Sequence, residues 1–351
     1  MAESVRIGVV GCGFFARFHL NSWKDLAATG ADLVAVCDID PEKAERAAKD
    51  FGVARWYTDA REMLAVERLG LVDIATRMDT HLALVRLAVE YHVPVIVQKP
   101  LAPNWTQAVQ IVETAARAGL FLAVHENFRF QSPMREVARV IGEGAIGAPS
   151  WGRIAFRTGL DVYANQPYFL TEERLAILDV GIHMLDLARF LMGEVERVSC
   201  ETQKRNPRVR AEDTSTMLLR HRSGAVTVAE CTYENRRLPG SGIETVVEIE
   251  GPDGAIVVDK GFRLSLTSRG AMTTRDVAPL PLAWADPALH VVQDSVLRTC
   301  SDLLAAVHEK REAGTSGLDN LKTYALVEAA YRAAAEHRAV VPKTWRLGGE
   351  R

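Results

Sequence analysis

Residues 5–20 read VRIGVVGCGFFARFHL, and the order of events within them decides the fold. The β-branched run VRIGVV reads as a strand, and a helical pattern follows from Phe14 to about residue 28. Between them Gly11, Gly13 and Ala16 stand at GxGxxA spacing. The first glycine permits a sharp turn, and the second removes a side chain that would block an approaching pyrophosphate. The alanine is small enough for close packing of helix on strand. The helix start then offers unpaired N–H groups and a positive dipole end to an anion. The spacing alone is weak evidence. With a strand before it, a helix after it, and Asp38 closing the second strand 22 residues past Ala16, it describes a dinucleotide-binding unit. Asp38 is expected to accept hydrogen bonds from the adenosine ribose and to repel a 2′-phosphate. No arginine follows it in CDIDPEKA, so NAD is favoured over NADP.

Working outward, runs at 32–38, 54–58, 71–76, 93–98 and 121–127 read as strands that alternate with helical segments. One helix is fully punctuated: Asp40 as cap, Pro41 at its first position and Gly52 just past its end. This predicts an α/β Rossmann domain over residues 1–125, a doubly wound parallel sheet covered by helices. The pattern then changes. Runs at 151–158, 195–203, 214–221, 225–233, 244–250, 255–259 and 262–268 follow one another with hairpin-like links such as HRSGA and EGPDGA. They predict a large, mostly antiparallel sheet of about six strands. The second domain is therefore expected to be α+β and to span 126–351, closing with amphipathic helices at about 293–313 and 317–336. AVTVAECTY and ETVVEIEG are apolar on alternate positions, which suits sheet-to-sheet packing in a homodimer or homotetramer.

The length of 351 residues exceeds what one core usually organises. A net charge of −3, from 42 basic and 45 acidic residues, offers no field for nucleic acid or an anionic membrane. KRNPRVR at 204–210 reads as a solvated loop. The 5 cysteines are scattered, which argues against a disulfide framework or structural zinc and fits a reducing compartment. The start lacks the apolar core and cleavage site of a secretion signal, and no apolar run is long enough to span a bilayer, so a cytoplasmic protein is expected.

Two polar interruptions of apolar segments carry the chemistry. VIVQKP, 95–100, ends a buried strand at Lys99, where a lysine can polarise an alcohol oxygen. LDVGIHMLD, 178–186, places Asp179 and His183 four apart, on one face if the segment is an α-helix, with Asp186 near that face. These residues are either a polar ladder holding the fold or an imidazole whose protonation a carboxylate sets. Asp179, His183 and Asp186 imitate a metal set, but no further spaced histidine or cysteine supports one, so no metal is expected.

Together the GxGxxA turn, the Lys99-Pro100 dipeptide and the DxGxHxxD pattern resemble the Gfo/Idh/MocA family of sugar and polyol oxidoreductases. ENFRF (126–130) and GEGAIGAPSWGRI (142–154) also resemble family segments. The resemblance implies Lys99, Asp179 and His183 as the catalytic set. It implies NAD contacts from Gly11, Gly13, Phe14, Phe15, Asp38, Thr76, His81, Gln98, Lys99 and Asn127, with Asn127 and Arg129 also near the substrate. The implied reaction is hydride transfer between NAD and a CH–OH group in the cleft between the domains. His183 takes the hydroxyl proton and Lys99 steadies the charge on oxygen. FRTGLDVYANQPYF, 156–169, is polar and aromatic, so Asp161, Tyr163, Asn165, Gln166 and Tyr168 are substrate candidates, with a plain surface loop as the alternative. FFARFH, HENFRFQSP and QPYF resemble the branch containing apiose-type aldose dehydrogenases.

One departure stands out. Gln98 occupies the position where the family usually has glutamate, and an amide, unlike a carboxylate, does not hold a neighbouring lysine in its charged form. Lys99 is therefore expected to lose its proton more readily than in typical members. Two rivals stay open: an NAD-binding sensor or co-regulator without turnover, expected to lack the lysine or histidine, and a reductase of a ring or imine.

Overall fold

The computed structural model describes residues 4–236, 243–346 and 349–350. Its contacts group the chain into two units. One runs to Asn127 and takes in Val296–Lys322 and Trp345–Glu350; the other comprises Phe128–Ser295 and Thr323–Thr344. The sequence reading had two contiguous segments, whereas here Val296–Lys322 returns to the first unit. Val124 N donates to Thr315 O at 2.8 Å, and Cys300 Sγ lies 3.7 Å from His125 Nε2.

The first unit holds six strands: β1 (Val5–Val10), β2 (Ala31–Cys37), β3 (Arg55–Tyr57), β4 (Leu71–Ile74), β5 (Val95–Gln98) and β6 (Leu122–His125). Their order is β3-β2-β1-β4-β5-β6 and every pairing is parallel. The helices between them are α1 (Ala16–Asp25), α2 (Pro41–Phe51), α3 (Ala60–Glu67), α4 (His81–Glu90) and α5 (Trp105–Arg117). The punctuation of α2 works as its residue types demand. Asp40 accepts from the N–H groups of Glu42 and Lys43, and Gly52 takes a left-handed φ of 66°. Strand order reverses at β1, which opens a crevice beyond the carboxyl ends of the strands. Within two residues of the carboxyl ends of β1, β2, β4, β5 and β6 stand Gly11, Asp38, Thr76, Lys99 and Asn127.

In the second unit, α6 (Ser132–Gly142) precedes β7 (Trp151–Arg157) and the short α7 (Val162–Asn165). A π-helical turn at Ile177–Gly181 runs into α8 (Ile182–Met192). Then come β8 (Val195–Gln203), β9 (Thr214–His221), β10 (Val226–Thr232), β11 (Glu244–Gly251), β12 (Gly254–Val258), β13 (Arg263–Ser268) and β14 (Ala271–Asp276). The chain closes with α9 (His290–Glu309) and α10 (Gly317–Glu336).

The sheet has eight strands in the order β14-β13-β12-β11-β7-β10-β9-β8, against seven runs read from sequence and the six or so strands expected of them. The strand not foreseen is β14, whose AMTTRD is exposed along nearly its whole length and so carries no apolar alternation. All pairings are antiparallel except β7 with β10. One face, bearing the buried Ile154, Ala229, Cys231 and Met217, packs on α8 through β7 and β10. The other carries the ion pairs of Arg153 with Glu230 and Glu248, and of Arg157 with Glu230. No helix among the described residues is long and apolar enough to cross a membrane.

Candidate active site

In the first unit the glycine turn is built from both sides. Gly11 has φ 99°, and a Cβ there would stand 2.7 Å from Ala75 O, so only glycine fits. Asp38, at the end of β2, accepts from Cys12 N at 2.8 Å and from Asp40 N at 3.0 Å. Its carboxylate therefore shapes the loop as well as facing the crevice. A Cβ added at Gly13 would meet nothing within 4 Å. That open space, beside an α1 start with no side-chain cap, is the cradle a pyrophosphate needs, so these residues fit a dinucleotide. Phe14 is exposed and Phe15 half-buried, and each packs edge-on against Phe18. Thr76, half-exposed, shares a hydrogen bond with Thr80 at 2.7 Å.

His81 has a different place from the rest of the expected cofactor contacts. It is fully buried, with Nδ1 3.1 Å from Leu101 O and Nε2 3.2 Å from Thr76 O. Burial pushes its pKa down, so the ring, lying between the two loops that follow β4 and β5, donates to only one of these carbonyls at a time. Lys99 follows β5 half-buried and is joined to Pro100 by a cis peptide bond. Gln98 is buried, and its amide bridges His19 Nε2, at 2.9 Å, and Lys99 N, at 2.6 Å. Asn127 is buried after β6.

Beneath this rim lies a polar cluster that the sequence reading missed. His19 Nδ1 donates to Asp73 Oδ2 at 2.8 Å, and Trp23 Nε1 donates to the same oxygen at 2.7 Å. The rings of His19 and His125 lie 4.1 Å apart. His19, His125 and Cys300 are close enough to one another to be a metal set. Both His19 nitrogens are already engaged, however, and burial pushes the Cys300 thiol well up, which favours a hydrogen-bonded cluster.

In the second unit, Asp179 and His183 fall on either side of a junction, because the segment is π-helical before it is α-helical. A single π-turn inside a helix is a recurrent feature of functional sites. Its start is held by Glu212, which accepts from the N–H groups of Leu175 and Ile177 and from Tyr331 OH at 2.6 Å. Asp179, half-buried, accepts a short hydrogen bond from Tyr233 OH. Burial and the Asp179 charge push the Tyr233 phenol far up, so it stays a donor. Tyr233, just past the end of β10, was not among the expected site residues. His183 is buried with its ring stacked on Phe128, centroids 3.9 Å apart and planes 8° from parallel.

Asp186 takes the structural role. It accepts from Arg129 Nε at 2.7 Å and from Thr323 Oγ1 at 3.0 Å, and a second, shorter bond comes from Arg129 Nη2. Arg129, expected beside the substrate, is thus a buried partner of α8. In the polar loop, Asp161 caps α7 by accepting from Ala164 N. Tyr163 is buried with its hydroxyl 3.4 Å from Glu234 Oε1. Gln166 accepts from Tyr168 OH at 2.6 Å, and Tyr168, like Asn165, is exposed. That exposed rim is where this loop can offer hydrogen-bonding groups.

Comparison with known proteins agrees with the geometry. The profile of the oxidoreductase family with an NAD-binding Rossmann fold matches residues 5–126, and the GFO/IDH/MocA C-terminal domain matches 134–257. The chain is 43% identical to a D-apiose dehydrogenase of Paraburkholderia graminis, over 96% of this chain and 89% of that one. It is 42% identical to a D-apiose dehydrogenase of Rhizobium rhizogenes, over 95% and 96%. Among solved structures, an oxidoreductase from Agrobacterium radiobacter in complex with NAD+, L-tartaric acid and magnesium superposes with a TM-score of 0.94 at 41% identity, covering 96% of this chain and 98% of that one. With its glycine cradle, acidic strand end and second-domain sheet in place, the chain belongs to the Gfo/Idh/MocA family of NAD-binding oxidoreductases.

Proposed function

We propose that the protein is an NAD-dependent aldose dehydrogenase whose substrate is D-apiose or a closely similar branched aldose. Identity above 40% to two D-apiose dehydrogenases over nearly the whole chain carries this reading. Bound NAD supplies the hydride acceptor. Gly11, Gly13 and Asp38 hold it, with Thr76 at the same strand ends. His183 takes the hydroxyl proton; the Phe128 face fixes its ring plane, and Asp179, itself held by Tyr233, stabilises the charged imidazole. Lys99 steadies the oxygen as negative charge builds. The anomeric carbon is the position of attack, because the ring oxygen shares the positive charge left by hydride departure.

The test is NADH formation with NAD and NADP across D-apiose, other aldoses and inositols. The expected result is NAD-linked turnover with D-apiose preferred. His183→Ala should lower kcat by about 10²- to 10⁴-fold with the Kd for NAD unchanged. NAD binding with no turnover on any sugar, and with full retention of fold, would favour the sensor instead. The sheet face bearing Leu218 and Val257, both exposed, suits a homodimer or homotetramer in the cytoplasm. Light scattering that finds a monomer would contradict that assembly.

A further inference from the structure

The first unit buries more polar chemistry than a dinucleotide cradle needs, and the groups on either side of His19 assign its hydrogen bonds. Lys99 N–H is a donor, so the Gln98 atom 2.6 Å from it must be the amide oxygen. The NH₂ of Gln98 then faces His19 Nε2 at 2.9 Å and donates to it. Asp73 Oδ2 accepts from Trp23 Nε1 at 2.7 Å and, as a carboxylate oxygen, accepts from His19 Nδ1 at 2.8 Å. His19 therefore carries its proton on Nδ1 and presents a lone pair at Nε2. The groups that face this ring are Asp73 of β4, Gln98 of β5, His125 of β6, Phe15 beside α1 and Cys300 of α9. His19, Asp73, His125 and Cys300 are fully buried and Gln98 nearly so, so water does not compete for these bonds.

We propose that Asp73, His19 and Gln98 form a buried positioning chain that holds the main chain at Lys99, and that the neutral amide at position 98 leaves His19 with a lone pair at Nε2. The inference rests on the dehydrogenase reading only for what Lys99 does; the chain itself is a matter of protons and lone pairs. It also revises the expectation that the residue at 98 acts directly on the lysine charge. A carboxylate there would meet His19 Nε2 first, at hydrogen-bond distance, and His19 would take up a proton to donate to it. The charge would be balanced inside the cluster. Asp73, His19 and Gln98 are positioning residues, not catalytic ones, because they act through the backbone that carries Lys99.

Nitrogen-15 spectra of the histidine rings in the full-length protein test this directly, with the His19 signal assigned from its loss in His19→Gln. In the wild type at neutral pH, His19 is expected to show a protonated Nδ1 and a lone-pair Nε2. In Gln98→Glu both nitrogens should carry protons. A wild-type His19 protonated at Nε2, or a Gln98→Glu protein whose His19 keeps its lone pair, would overturn the proposal. Because these spectra need no turnover, they stand even if no sugar is oxidised. Kinetics supply the second arm, and the wild-type spectrum decides if a variant fails to fold. His19→Ala should lower kcat by about tenfold or more with the KM for NAD within about threefold, and Gln98→Ala should lower kcat to a similar extent. The double variant should lose little beyond the worse single, as partners in one chain do. Additive losses, or an equal loss in NAD affinity in His19→Ala, would overturn it.

Discussion

Asp38 shows how one side chain can serve both fold and ligand. Its carboxylate accepts from Cys12 N inside the glycine turn and from Asp40 N at the start of the next loop. Asp38→Ala removes a charged acceptor that the loop and the ribose share. The KM for NAD should rise at least about tenfold, since a hydrogen bond to a charged group contributes roughly 1.5–3 kcal/mol, and discrimination against NADP should fall. Steady-state kinetics with both nucleotides checks this. The place of Asp38 beside the glycine turn was legible from sequence, because the strand pairing that any βαβ unit must make brings it to a turn 26 residues away. His81 was harder. Nothing in the sequence distinguishes a histidine that faces a cofactor from one whose two nitrogens both meet main-chain carbonyls.

At the level of elements, the segment from the π-turn through α8 divides its polar groups between two tasks. Asp179 and His183 sit at the junction, while Asp186, one turn on, anchors Arg129. Four-residue spacing could not reveal this division, because a π-turn breaks the α-helical arithmetic, and the partners that decide each role are far away in sequence. Tyr233 is 54 residues from Asp179, and Thr323 is 137 from Asp186. Asp186→Ala would strip a buried guanidinium of its carboxylate, and such losses cost about 3–5 kcal/mol. Urea unfolding should therefore show a much lower midpoint for this variant, with the far-UV spectrum of the folded state kept. By contrast α2 was legible to the residue, because cap, proline and closing glycine are all local signals. Strand β14 was not, because an exposed polar edge strand leaves no periodic trace.

Over the whole molecule, the buried thiols make stability sensitive to alkali. Burial pushes Cys12, Cys37, Cys200 and Cys231 from 9.0 up to about 12, and Cys300 well above 9.0. Above pH 9 the unfolded chain releases protons that the folded chain retains, so unfolding becomes easier as pH rises. Their contribution is intact below pH 9 and is lost progressively toward about pH 12. Thermal melts should show a melting temperature that starts to fall once pH passes 9.0, with thiol reagents reacting only as the protein unfolds. The two-part architecture was legible from the change of period near residue 126, since parallel and antiparallel sheets have different sequence rhythms. The return of Val296–Lys322 to the first unit was not, because an amphipathic helix does not say which face it covers.

The account turns on hydride leaving a sugar carbon for NAD. The most direct measurement uses D-apiose carrying deuterium at the anomeric carbon, with the NADH formed analysed by mass spectrometry. The account predicts deuterium in the reduced nicotinamide and a slower rate than with unlabelled sugar. NADH without deuterium, or bound NAD that D-apiose never reduces, would contradict it.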